Sequence, residues 1–228
     1  ISMDLSGNAA LKSFICEGID LCRLDVRKCE RLEELQCRNA GLDTLDVSRN
    51  LCLRKLAFGR ISDGHWKSER LKCLILPAVP CRLEELICGN VQIGELDLKN
   101  CPLLKTVKCI SGNLSFLRVE SCTLLDTLIC PYGILDHLEV GNCSRLTYLN
   151  CSNNRIRKLD LSRNIRLTTV IANKQESRYL LNEDGRTGKL ERIILPDNTS
   201  APDGIRFLAC QDNAIGELEV GCLPYLQY

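Results

Sequence analysis

The stretch Leu125-Asp-Thr-Leu128-Ile-Cys130-Pro-Tyr-Gly-Ile-Leu135-Asp-His-Leu138-Glu-Val140-Gly-Asn-Cys143-Ser-Arg-Leu146-Thr-Tyr-Leu149-Asn-Cys151 holds one full period of a repeat. Leu125, Leu128 and Cys130 return as Leu146, Leu149 and Cys151, 21 residues further on. Working outward, Cys88 and Cys109 continue the series toward the N-terminus, and Cys16 and Cys37 are one period apart. Phe58 and Ala172 hold the same slot where the cysteine is missing. Eight to ten residues after the slot comes Leu-Asp-Val or a variant, as in Leu45-Asp46-Val47, Leu96-Asp97-Leu98 and Leu159-Asp160-Leu161. Three residues later stands Asn or Cys: Asn8, Cys29, Asn50, Cys101, Cys122, Cys143, Asn164. Self-similarity at a fixed period of this length is the mark of a stacked solenoid, in which each coil leans on its neighbours. Both halves alternate with period two, so each supplies an extended segment with one buried face. Two such segments and two turns fill 21 residues, which leaves little room for helix.

These residues resemble the bacterial 21-residue leucine-rich repeats of the internalin-J-like family, in which a cysteine replaces one core leucine and stacks into a ladder. The resemblance covers roughly 3–58, 83–172 and 205–226, and Leu159-Asp-Leu-Ser-Arg-Asn164 carries it best. It implies a leucine-rich repeat horseshoe with a parallel sheet on its concave face, and we assign that sheet to the cysteine half. The family's Asn three residues after the cysteine recurs here only at Asn154 and Asn213; Ile19, Ala40, Val91, Gly112 and Gly133 occupy that place elsewhere.

The coils parse as 11–31, 32–52, 53–82, 83–103, 104–124, 125–145, 146–166, 167–204 and 205–228, after a half-coil at 1–10. Two are oversized, with insertions at 59–70 and 173–189. Each insertion leads into a matching phrase, Leu74-Ile-Leu-Pro77 and Ile193-Ile-Leu-Pro196, which is similar to the strand of BspA-like surface repeats. No Pro- or Gly-rich linker divides the chain, so one domain over 1–228 is expected. Because the repeat begins and ends in mid-coil, the chain reads as a piece of a longer protein.

A charged fraction of 26% with net charge +1 suits an ordinary globular chain and argues against a nucleic-acid reader, which needs a basic stripe. There is no apolar run long enough to cross a membrane as a helix. Sixteen cysteines would ordinarily point to disulfides or metal. Inward side chains on adjacent parallel strands run side by side, however, so the near-perpendicular torsion of a disulfide is hard to reach. No C-x-x-C pair offers a zinc site, and no cofactor is implied. A reduced core ladder is the expectation, with Cys22, Cys52, Cys73, Cys81 and Cys222 falling outside both columns. In the Asn column, cysteine is expected to act as a weaker donor to the turn's carbonyls.

Little here supports catalysis. His65 and His137 have no nucleophile at motif spacing, and Gly185-Arg-Thr-Gly188-Lys189 lacks the full phosphate-loop spacing. The recurring carboxylates Asp25, Asp46, Asp97, Glu139, Asp160 and Glu219 are broken by Arg118 and read as a solvated, charge-balanced face. Function is therefore sought on the sheet. The residues just before each cysteine slot should face outward, and among them and their neighbours Ile87, Ile110, Ile129, Tyr148 and Ile171 form an apolar cluster. Trp66 and Tyr179 stand in the two insertions, where loop aromatics make good anchors. The expected function is non-enzymatic recognition of a protein or glycan on the concave face. The resemblance implies a surface or secreted adhesion protein; the alternative is the repeat domain of an intracellular effector or scaffold whose catalytic part lies outside this chain. For localisation, free thiols also suit a reducing cytosol or an anaerobic habitat.

Overall fold

A computed structural model describes residues 1–38, 40–59, 70–110, 113–175, 189–199 and 203–227. The cysteine halves build a single nine-stranded parallel sheet. Its strands, in spatial order, are Ser13–Glu17, Glu34–Arg38, Lys55–Gly59, Glu85–Gly89, Thr106–Ile110, Thr127–Ile129, Tyr148–Asn150, Thr169–Ile171 and Phe207–Ala209. The order is sequential because each coil supplies one strand and returns to lie beside the last. Register follows the repeat: Cys16 pairs with Cys37 and Cys88 with Cys109, while Phe58 takes the cysteine's place between Cys37 and Cys88. The second halves make only short ladders of two strands, such as Glu95–Asp97 with Phe116–Arg118 and Lys158–Asp160 with Arg192–Ile194. The half-coil at the N-terminus joins in, with Ser2–Asp4 paired to Arg23–Asp25. Among the described residues there is no helix.

Two consecutive tight turns leave no place for one. The backbone N–H of Cys143 donates to Val140 O at 2.8 Å, and the N–H of Leu146 donates to Cys143 O at 3.0 Å. The same pair of bonds brackets Cys29, Asn50, Cys101, Cys122 and Asn164. The side chain at the centre of this double turn points inward. Asn164 Nδ2 donates to Val140 O at 2.9 Å and Cys143 O at 3.0 Å, and Asn50 Nδ2 does the same to Val26 O and Cys29 O. Cysteine acts as the expected substitute: Cys143 Sγ donates to Val119 O at 3.5 Å, and Cys122 Sγ to Cys101 O at 3.5 Å. These bonds give the turn carbonyls, each already paired with a backbone N–H, a second donor from the neighbouring coil.

The core is made of stacked Leu, Val, Ile and Cys, with Leu35, Leu56, Leu86, Leu128 and Leu149 fully buried along the long sheet. All sixteen cysteines are free thiols, and eleven of them lie buried. Burial pushes the thiols of Cys122, Cys143 and Cys151 up to about 12, so they stay protonated and act as small apolar groups. Cys81 departs from expectation. Its Sγ lies 3.5 Å from that of Cys101, so it belongs to the second column; the turn that carries it is longer, which hides the match from a fixed period.

Gln175 is a second departure. It sits three residues after Ala172, in the place of the family's Asn, and is fully buried. Its Nε2 donates to Cys151 O at 2.7 Å, and its Oε1 accepts from the N–H of Ile156 at 3.2 Å. Asn154 and Asn213 make equivalent bonds to Cys130 O and Ala172 O. The last three of these places thus form one amide column beside the sheet, while the earlier coils pack apolar Ala40 and Val91 there.

The recurring aspartates have a local task. Asp46 Oδ1 accepts from the N–H of Ser48 at 3.0 Å, Asp97 from Lys99 at 3.0 Å and Asp160 from Ser162 at 3.0 Å. Each closes an Asx turn that ends the short strand. Glu139 and Glu219, one methylene longer, stand where no second-half strand forms.

Candidate recognition face

Strand parity sends every second residue of the long sheet away from the core. One outward column runs Ile15, Gln36, Ala57, Ile87, Lys108, Ile129, Asn150, Ile171, Ala209 in direct register. Beside it runs Ser13, Glu34, Lys55, Glu85, Thr106, Thr127, Tyr148, Thr169, Phe207. Neighbouring rungs are about 4.8 Å apart.

The two halves of this face differ in chemistry. Toward the N-terminus it is ion-paired: Lys55 Nζ lies 3.8 Å from Glu34 and 3.4 Å from Glu85. At the margin, Glu84 takes Arg54 at 2.6 Å and Lys105 at 2.6 Å, and those two cations hold its carboxyl below the usual range. Toward the C-terminus the face turns to hydroxyls and hydrocarbon. Ile129, Tyr148 and Ile171 lie half-buried on three successive strands, and Ile110 ends the strand before them. Half-buried Lys108 and Asn150 alternate with the isoleucines, so the apolar strip is interrupted. Asn150 is drawn aside: its Oδ1 accepts from the N–H of Ser152 at 3.1 Å and from Ser152 Oγ at 2.8 Å.

Ile87 corrects the expectation of exposure. It points outward by parity but is only 8% exposed, and Ala57 beside it is 0% exposed. Both strands of this pair are buried on either face from Leu56 to Gly59 and from Leu86 to Gly89. Their ends draw together: a Cβ on Gly59 would meet the carbonyl oxygen of Gly89, and Gly59 leaves the sheet at φ 76°. Ile87 is therefore covered by the protein itself and offers a partner little surface. Trp66, Tyr179, His65 and residues 185–188 lie outside the described residues.

A residue that sequence reading passed over stands at the edge of the apolar half. The slot two residues after each cysteine is left-handed in Gly18, Asn90, Tyr132, Asn153, Lys174 and Asp212, with φ between 50° and 70°. Its N–H extends the ladder by one bond, as from Tyr132 to Ser152 O at 3.1 Å and from Asn153 to Asn173 O at 3.0 Å. Gly, Asn and Asp tolerate this conformation; a bulky ring is an outlier. Tyr132 adopts it at φ 62° and is 39% exposed. The signal was available in the slot's composition. Phe207, 40% exposed in the column of Tyr148, is the other aromatic on this end.

The opposite side carries a polar groove lined by Glu120, His137, Glu139, Lys158, Asp160 and Arg163. His137 and Glu139 contact each other at 2.8 Å, and both are well exposed. The groove offers no desolvated acid, base or nucleophile pair.

No protein-family model matches the chain, and no characterised protein matches it at the level of sequence. Solved structures do. The functional domain of InlJ from Listeria monocytogenes, which includes a cysteine ladder, is 24% identical and superposes with a TM-score of 0.56 over 98% of this chain. The match spans 54% of that domain, so the chain is about half its length. The internalin InlF of the same species is 17% identical, with a TM-score of 0.50, covering 97% of this chain and 74% of the other. Sequential strands, a 21-residue period, stacked cysteines and these superpositions agree: the chain folds as an internalin-like leucine-rich repeat solenoid with a cysteine ladder.

Proposed function

We propose that this chain is a non-enzymatic recognition module that docks a protein partner on the outward face of its nine-stranded sheet. The observation that carries the reading is the apolar half of that face, where Ile110, Ile129, Tyr148 and Ile171 lie half-buried between exposed Tyr132 and Phe207. Rigid strands fix these side chains before binding, which lowers the entropy lost on docking. A partner would bury Ile129 and Tyr148 at its centre, where truncation costs most. Trp66 and Tyr179, one in each insertion, are proposed as additional anchors. The ion-paired half serves as a polar rim, and its balanced charges favour no strongly basic or acidic partner. A surface or secreted adhesion role extends the reading from the resemblance to internalins.

The test compares the wild-type chain with an Ile129→Lys, Ile171→Lys double variant as bait against cell-surface protein extracts. A partner held by the wild type and lost by the variant, at unchanged melting temperature, supports the reading. A partner that binds both equally sinks it.

A further inference from the structure

Cys81 and Cys101 stand apart within the second cysteine column; thiol–thiol hydrogen bonds also join Cys16 to Cys37 and Cys88 to Cys109, on adjacent strands of the long sheet. Elsewhere in the second column, each thiol is committed to a carbonyl of the coil before: Cys29 to Leu5 O at 3.4 Å, Cys122 to Cys101 O, Cys143 to Val119 O. Cys101 has a different partner. At the column's regular count the coil before it offers Val79 and no Asn or Cys. The longer turn through Val79 and Pro80 brings Cys81 to the vacant place, and the two sulfurs share a hydrogen bond at 3.5 Å. Neither residue lies in a strand, so the pair escapes the side-by-side constraint that disfavours bridging between Cys16 and Cys37 or Cys88 and Cys109.

We propose that Cys81 and Cys101 form a redox pair, oxidised by hydrogen peroxide to a disulfide that staples two adjacent coils. The Cys81 thiolate attacks one peroxide oxygen, the O–O bond breaks, and hydroxide leaves a sulfenic acid on Cys81. The Cys101 sulfur then attacks Cys81 Sγ, its proton goes to the departing hydroxyl, and water is released. Two thiols and one peroxide become one disulfide and two waters. Cys81 is the attacking group because it is the more exposed of the two, 6% against 0%, and the hydrogen bond shared with Cys101, together with the amides of Leu83 and of Cys81 itself, lowers its thiol below the usual range. The thiol of Cys101 is pushed up by the same bond and stays protonated until the second step. Cys81 is 6% exposed, enough for peroxide and too little for a bulky disulfide reagent.

The experiment treats the folded chain with equimolar hydrogen peroxide, alkylates the remaining thiols after unfolding, and maps tryptic peptides. A Cys73→Ser background is used because trypsin leaves Cys73 and Cys81 together in residues 73–82. The expected product links that peptide to residues 100–105, with two of the chain's thiols lost and a melting temperature several degrees higher until dithiothreitol is added. In Cys101→Ser, which keeps a hydrogen-bonding partner beside Cys81 but cannot close a disulfide, oxidation should stop at a sulfenic acid on Cys81 that dimedone captures. Should that variant fail to fold, the peptide map of the parent still decides. Alkylation of both Cys81 and Cys101 after peroxide treatment, or their linkage to other cysteines, overturns the proposal. Dimedone label on Cys101 in the converse Cys81→Ser variant, with none on Cys81 in the variant substituted at Cys101, overturns the assigned order of attack.

Discussion

Replacing Ile87 and Ile129 by Lys, one at a time, separates two residues that share a column and a parity but not an environment. Ile87 is 8% exposed, so nearly all of its apolar side chain is out of water. Losing that burial costs about 1.5–3 kcal/mol. The ammonium that replaces it must then be desolvated without a partner or driven neutral, which brings the total to about 3–5 kcal/mol. Ile129 is half-buried, and Lys108 in register beside it shows that a lysine is accommodated in this column with its head in water. The lysine stem covers much of the area that isoleucine covered, and repulsion from Lys108 is screened at the surface. Ile129→Lys should therefore cost about 1 kcal/mol or less. Urea unfolding at pH 7, followed by circular dichroism, measures both. Equal losses, or a larger loss at Ile129, would refute the burial argument and with it the choice of Ile129 over Ile87 as a contact residue.

Asn164→Ala removes the side-chain donor to Val140 O and Cys143 O, each of which keeps a backbone N–H, and should cost about 1–3 kcal/mol, whereas Asn164→Cys keeps one weak donor and should cost about half as much; urea midpoints that rank the two the other way would show that cysteine is no substitute. Cys130→Val should be mild and Cys130→Asp should unfold the chain, since the site is fully buried and its thiol already pushed up by desolvation; melting curves of the pair read this directly. Asp25 is held down to about 2 by hydrogen bonds from Arg27. Its contribution is thus present above pH 4 and lost toward pH 2, where the unfolded chain takes up the proton first. Asp25→Asn should lower stability at pH 7 by about 1 kcal/mol or less, and the gap should close at pH 2.

The architecture was legible because a solenoid repeats its contacts, so one period of sequence reports the same burial many times over. Parity then placed Ile129, Tyr148 and Ile171 on the outward face. What parity cannot report is what lies over that face, and Ile87 is the residue where the difference tells. Cys81 escaped because two extra turn residues moved it off a fixed count while leaving it in the column. Gln175 escaped because a longer amide does the work of Asn. The aspartates were read only as surface charge, although the Asp-x-Ser spacing of Asp46–Ser48 and Asp160–Ser162 is itself an Asx-turn signal. Tyr132 was missed because backbone handedness leaves its trace in the company a residue keeps, among Gly18, Asn90 and Asn153, and not in the residue itself.

That row of left-handed residues has a bearing on how such a surface could diversify. Gly18, Asn90, Tyr132, Asn153 and Lys174 each donate the backbone N–H to the neighbouring coil, and the side chain at this slot makes no part of the stacked core. A change there alters what the sheet's margin displays while the stacked core between coils stays as it was. Only the backbone preference is taxed, by about 1–2 kcal/mol for a residue without special tolerance. In a nearest-neighbour solenoid that penalty stays local to one coil and its two neighbours. Among the described residues the margin is thus a row of regularly recurring positions at which new contacts could be tried one at a time; Tyr132 marks a coil where the trial has put an aromatic ring.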